Sequence, residues 1–211
     1  MKSLLTIIGL LSLLISSCNK GPKLGKIKED QVIDTEKHES IVLGGGCFWC
    51  IEAVFQQLDG VVAATSGYTG GFINNPSYED VTPGTSGHIE VVKVVFDPEI
   101  MSTDDILTWF WKAHNPTDPR GQAPDFGEPY KSHVFVNSPE QKAIVEKSIS
   151  AEQENRKETI VTKIRDLKIF YPAEDYHQDY YLKDLKKDSS ERNDYVKAII
   201  KPKLKKLNLD Y

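Results

Sequence analysis

Apolar and polar positions follow three different regimes along the chain. From Leu4 to Ile15 charged positions are absent, Lys2 precedes the run, and Ser16-Ser17-Cys18 follows it. At about 1.5 Å of rise per residue, a helix of that length falls well short of a hydrocarbon core of about 30 Å. A basic start, a short apolar stretch and small residues before a cut site predict a secretory signal. From Asn19 to Glu39 neither a strand nor a helix period is visible, and Gly21-Pro22, Gly25 and mixed charges predict a tether. Beyond that point periodic segments follow one another to the end.

Ser40–Leu43 predicts a short apolar strand that runs into Gly44-Gly45-Gly46. After Cys47-Phe48-Trp49-Cys50, residues Ile51, Val54, Phe55 and Leu58 recur at helical spacing, and the helix is expected to end at Asp59-Gly60. Val61–Tyr68 reads as the next strand, followed by a loop from Gly70 to Tyr78, and His88–Phe96 is a strong strand. Ser102 and Asp105 form a capping-box pattern ahead of a helix whose Ile106, Leu107, Trp109, Phe110 and Ala113 face a core. A polar, proline-rich loop spans Asn115–Lys131, and Ser132–Val136 is a strand. Ser138-Pro139-Glu140-Gln141 opens a long helix to about Arg156. Ile160–Ile164 and Lys168–Phe170 read as short extended pieces. The charged tail from Tyr176 reads as helical, resting on the body through Val196, Ile199, Ile200 and Leu204. Strands interleaved with helices predict an α+β fold, a two-layer α/β sandwich on a central mixed sheet.

Composition narrows the possibilities. A chain of 211 residues with 27% charged and 39% hydrophobic positions suits one compact domain. Its 31 acidic residues outnumber 26 basic ones, for a net charge of -5, which argues against nucleic acid as a partner. Three cysteines are too few for a disulfide scaffold, so their positions carry the information.

The strand–glycine–helix order places Cys47 at a helix N-terminus, where backbone N–H groups and the positive end of the dipole favour a thiolate. A lowered Cys47 pKa is therefore expected. By the strand period, Glu90 shares a face with Val92, Val94 and Phe96. A carboxyl there is either neutral with a raised pKa or a rim group reaching water at the strand end.

Five motifs in order resemble peptide methionine sulfoxide reductase A: Gly46-Cys47-Phe48-Trp49, Gly67-Tyr68-Thr69-Gly70-Gly71, Asn75-Pro76-Ser77-Tyr78, Gly87-His88-Ile89-Glu90 and Glu174-Asp175-Tyr176-His177-Gln178. The similarity runs from about Ile41 to Tyr181. It implies a ferredoxin-like core and thiol-dependent reduction of the S epimer of methionine sulfoxide, free or in oxidised proteins. Cys47 would be the nucleophile and would pass through a sulfenic acid. Glu90 would protonate the sulfoxide oxygen. Tyr78 and Tyr130 would donate hydrogen bonds to that oxygen. Phe48 and Trp49 would wall the pocket for the substrate methyl group, and Asp125 would help position the site. His88 and His177 are expected to be structural. No bound cofactor is expected; the reductant would be thioredoxin or another dithiol.

Ile15-Ser16-Ser17-Cys18 also resembles a bacterial lipobox, which makes Cys18 the expected lipidation site. Residues 1–17 would then be a lipoprotein signal peptide, 18–39 a flexible tether and 40–211 the catalytic domain. The protein is expected to be a monomer, lipid-anchored in a bacterial cell envelope. The alternative is an ordinary signal peptide with an incidental cysteine.

The chain departs from the family pattern in its tail. Many members keep resolving cysteines near the C-terminus, whereas Asp194-Tyr195-Val196 holds none. Cys50 either resolves the Cys47 sulfenic acid or is a buried thiol beside it. A thioredoxin-like thiol–disulfide exchanger acting through Cys47 and Cys50 is the alternative function, and a metal module lacks the second ligand pair it would need.

Overall fold

The protein is described by a computed structural model over residues 33–209. The expected signal peptide, Cys18 and most of the tether lie outside the described residues. A hydrogen-bonded turn over Asp34–His38 leads into β1 (Glu39–Gly44), so regular structure begins slightly before Ser40.

Six strands form the main sheet. β1 pairs antiparallel with β3 (Ile89–Phe96) on one side and with β6 (His133–Val136) on the other. β2 (Val61–Thr69) pairs antiparallel with β3. With α1 (Phe48–Phe55) between β1 and β2, and α3 (Thr103–Ala113) between β3 and β6, the chain traces β-α-β-β-α-β in the spatial order β6-β1-β3-β2. That is the expected ferredoxin-like core. β7 (Lys163–Asp166) adds parallel to β6, which makes the sheet mixed, and β8 (Tyr171–Pro172) adds antiparallel to β2.

Period-two alternation sorts the strand residues between two faces. Ile41, Leu43, Val92, Val94, Phe96, Val134 and Val136 pack against α1 and α3 in the main core. Val145 of α4 (Pro139–Glu154), Tyr181 of α5 (Tyr180–Leu185) and Leu204 of α6 (Lys201–Lys206) belong to the same core. Val42, Ile89, Val91 and Phe135 point the other way, beneath Leu167 and Phe170. One face is thus helical and the other is closed by an irregular segment.

Several local expectations shift. Ser102 and Asp105 make the full capping box. Ser138 caps α4, but the Gln141 side chain accepts from the Asn137 N–H rather than from the cap residue. α1 ends at Phe55 and continues in turns to Gly60. The two short strands near residues 160–170 sit about three positions later than the apolar pattern placed them. Their register is set by pairing with β6 and β2 rather than by their own periodicity. The loop read over 115–131 holds a small hairpin of β4 (Gly121–Gln122) and β5 (Asp125–Phe126), then a 3-10 turn at Glu128–Tyr130. The loop after Gly70 ends in a one-turn helix, α2 (Tyr78–Val81), capped by Ser77 and Asp80. No helix among the described residues is long and apolar enough to cross a membrane.

Candidate active site

Gly46 turns the chain from β1 into α1 at φ 96°, a conformation that favours glycine, and a Cβ there would lie 2.7 Å from the Gln122 side chain. The turn leaves Cys47 as the N-cap of α1, 7% exposed. Glu90 reaches the same helix end from β3. It is 2% exposed, and its Oε2 accepts the Phe48 N–H at 3.1 Å. The carboxyl is therefore a core group and not a rim glutamate. Burial, with Asp125 and Cys50 nearby, pushes its pKa up to about 8 against the Phe48 hydrogen bond. Glu90 is mainly the neutral acid at pH 7.

The expected depression at Cys47 is not found: its thiol is pushed well above the ordinary value. Burial is the largest cause, followed by the neighbouring Cys50 and Glu90. The physical reason lies in where the helix N–H groups go. Cys47 makes no side-chain cap hydrogen bond, and the first free N–H of α1 is taken by Glu90. Cys50 moves the other way, down to about 7, held by the hydrogen bond with Cys47 and then by the Lys203 charge and the Tyr195 hydroxyl, against burial. The helix start therefore carries its more acidic thiol at Cys50.

Aromatic rings build a wall beside this pair. The Trp49 ring stacks on Tyr180 at 3.7 Å and 7°, and its indole N–H donates to His177 Nδ1 at 3.1 Å. His177 lies 5.0 Å from Phe48 and 4.6 Å from Tyr78 between ring centres. Phe48 is buried and lies 5.7 Å from Tyr68, which pairs with Glu90 across the strands. Glu174 ties the far side together: Oε1 accepts the Tyr78 N–H at 2.8 Å and Oε2 the Tyr68 hydroxyl at 2.9 Å. Burial raises the phenol pKa of both Tyr78 and Tyr130, with Glu90 the next charge felt at Tyr130. Both hydroxyls are held as donors at neutral pH.

Three comparisons bear on this arrangement. Residues 39–208 match the family model described as peptide methionine sulfoxide reductase. The chain belongs to that family. A curated member from Methanococcus maripaludis is 47% identical over 145 residues, which cover 69% of this chain and 92% of the relative. Among solved structures, reduced Mxr1 from Saccharomyces cerevisiae aligns with a TM-score of 0.69 and 29% identity, covering 76% of this chain and 93% of Mxr1. Mxr1 in complex with Trx2 aligns with a TM-score of 0.52 and 25% identity, covering 71% of this chain and 89% of that one. Methionine sulfoxide reduction is thus the activity of this reductase.

All the residues expected in a reductase site converge here, and the structure adds others. Tyr195, just ahead of a π-helical stretch (Val196–Ile200), donates its hydroxyl to Asp125 Oδ2 and lies 3.8 Å from Cys50 Sγ. Sequence reasoning noticed Tyr195 only as the neighbour of a missing cysteine. Glu174 and Tyr180 went unassigned, although Glu174 lies in a family motif, and His177 was expected only to be structural, because their contacts span more than ninety residues of chain. His88 is structural, as expected: its Nδ1 accepts the Gly71 N–H and its Nε2 bonds Ile73 O. Cys47 and Cys50 are both free thiols. Among the described residues, no group of three or more His, Cys, Asp or Glu side chains is placed to hold a metal ion.

Proposed function

We propose that this reductase acts on the S epimer of methionine sulfoxide, free or in oxidised proteins, with Cys47 as nucleophile and Glu90 as acid. The observation that carries this reading is the buried Glu90 carboxyl, bonded to the first N–H of the helix that Cys47 caps. Cys47 Sγ attacks the sulfoxide sulfur as Glu90 protonates the oxygen, while Tyr78 and Tyr130 donate to that oxygen. Loss of the thioether leaves Cys47 as a sulfenic acid; the substrate sulfur gains two electrons and the cysteine sulfur loses two. One proton leaves the Cys47 thiol as one reaches the oxygen. Phe48 and Trp49, backed by His177 and Tyr180, hold the methyl group, and Asp125 with Tyr195 positions the cysteine pair.

Cys50 resolves the sulfenic acid: its thiolate attacks Cys47 Sγ, the S–O bond breaks, and the oxygen leaves as water after taking a proton. A Cys50 pKa of about 7 suits this role, since an attacking thiol works best with a pKa near the ambient pH. A thioredoxin-like dithiol then reduces the 47–50 disulfide, by analogy with the Mxr1–Trx2 complex. The N-terminal pattern supports export, lipidation at Cys18 and an enzyme tethered in a bacterial cell envelope.

Turnover of separated R and S sulfoxides by wild type, Cys47→Ser and Cys50→Ser tests the reading. Only the S epimer should react, and Cys47→Ser should be inactive. Cys50→Ser should keep its first turnover and lose thioredoxin-coupled cycling. Mass spectrometry of wild type treated with substrate and no reductant should show a 47–50 linkage; a persistent sulfenic acid with both thiols unlinked would remove Cys50 from the cycle.

A further inference from the structure

Outside the substrate pocket, a groove of about 1040 Å³ runs between the C-terminal half of α3, the end of α4 and α6, and reaches the β4–β5 hairpin. Its wall comes close to the segment that carries the cysteine pair. Gln122 lines it, and this is the side chain on which Gly46 packs, one residue before Cys47. Lys203, on its α6 wall, is close enough for its charge to act on Cys50.

The groove is basic on a chain of net charge -5. Lys112, Arg156, Lys203 and Lys206 all line it. Arg156 is paired with Glu152 at 2.6 Å, but Lys112, Lys203 and Lys206 form no ion pair among the described residues. Lys112 instead lies 5.0 Å over the Trp109 ring, and Trp109 is also part of the lining. The result is an aromatic-backed strip of cations without ion pairs among the described residues. Lys112 and Lys206 have no task in the proposed sulfoxide reduction, where the developing oxyanion is met by Glu90 and two tyrosines.

We propose that this groove is the docking surface for the enzyme's reductant, and that the reductant is a dithiol protein presenting an acidic face next to its reactive cysteine. This rests on the reading in which a dithiol protein reduces the 47–50 disulfide. Two observations single out that occupant. Through Gln122 and Lys203 the groove wall comes next to the turn and helix that carry the cysteine pair. Positive charge without an ion pair among the described residues, on an otherwise acidic protein, selects an acidic partner and speeds its arrival. In the docked complex a donor thiolate attacks the disulfide and breaks the 47–50 bond. The second donor thiol then displaces the mixed disulfide. The enzyme gains two electrons and two protons, and the donor leaves as a disulfide.

Exposed Lys112 and Lys206 test the surface without altering the thiols. Steady-state turnover of S-sulfoxide would be measured for wild type and for Lys112→Glu/Lys206→Glu. The reductant would be either an acidic thioredoxin, kept reduced by its reductase and NADPH, or dithiothreitol. The double variant should raise KM for thioredoxin about tenfold or more, in line with the range of electrostatic steering. Its dithiothreitol-driven kcat and its KM for sulfoxide should stay within about twofold of wild type, and the wild-type KM for thioredoxin should rise with salt. An unchanged KM for thioredoxin in a variant that cycles normally would overturn the groove and leave the cycle intact. So would a raised KM for an acidic sulfoxide peptide with thioredoxin kinetics untouched, because the groove would then serve substrate. Wild type that turns over with dithiothreitol but not with thioredoxin would overturn both the donor reading and the groove.

Discussion

At the scale of single residues, the site works by separating the proton affinities of groups that sit side by side. Glu90 keeps its proton to about pH 8 because water is excluded from it, while Cys50 gives its proton up near pH 7 because Cys47 and Lys203 stabilise the thiolate. The first-turnover rate of wild type should therefore fall as pH rises through about 8, where the acid is lost. Glu90→Gln should lower that rate by about 10²–10⁴-fold at pH 7 and abolish that descending limb. Rapid-quench measurement of one turnover across pH 6–10 checks both. Glu52 is a second buried carboxyl, 0% exposed in α1, accepting from Ser66 Oγ and from the N–H of Tyr180, the residue that stacks on Trp49. Burial pushes it up to about 7. Both carboxyls bind protons more tightly in the folded chain than in the unfolded one. Their contribution to stability is therefore complete below about pH 4.5 and is lost as pH rises through about 7 to 8. Each costs up to about 1.4 kcal/mol per pH unit across that window. Urea unfolding at pH 5 and pH 8 should show lower stability at pH 8, and Glu52→Gln should reduce the difference.

At the scale of elements, legibility followed the range of the interaction that decides each feature. The capping box at Ser102, the cap at Ser138 and the alternation in β3 are written within four to eight residues of chain, and they are where the pattern put them. β7 and β8 are short, and their positions depend on ladders with β6 and β2, so local periodicity misplaced them. The C-terminal helix was legible as a stripe, with Val196, Ile200 and Leu204 buried, but its widened first turns were not. Pro202 lacks an N–H to donate back into that stretch, a local reason for the change of winding ahead of it. The glycine turn before α1 sets the position of Cys47, the proposed nucleophile. Gly46→Ala meets both a left-handed backbone and the Gln122 side chain. It should destabilise the protein by about 1–3 kcal/mol and lower first-turnover rate more than Ala substitution at exposed Lys206 does. Thermal unfolding alongside single-turnover kinetics measures the two effects.

At the scale of the whole molecule, the catalytic body is a two-layer sandwich with its chemistry at one end of the central strands and its basic groove alongside. The proposed lipid at Cys18 would confine that body to a membrane surface. Wild type expressed with its N-terminal segment should partition into the detergent phase of a phase-separating extraction, and Cys18→Ala should move it to the aqueous phase with specific activity unchanged.

Read alone, the sequence was enough to determine the family and the ferredoxin-like core and to point to Cys47 and Glu90 as the proposed nucleophile and acid, because motif spacing, caps and strand alternation are short-range properties of the chain. Only the tertiary structure decided which thiol is the more acidic, that Tyr195 joins Asp125 to the cysteine pair, and that His177, Glu174 and Tyr180 hold the aromatic wall. Those outcomes depend on burial and on partners far along the chain, and the free energy of a buried charge is set by everything folded around it.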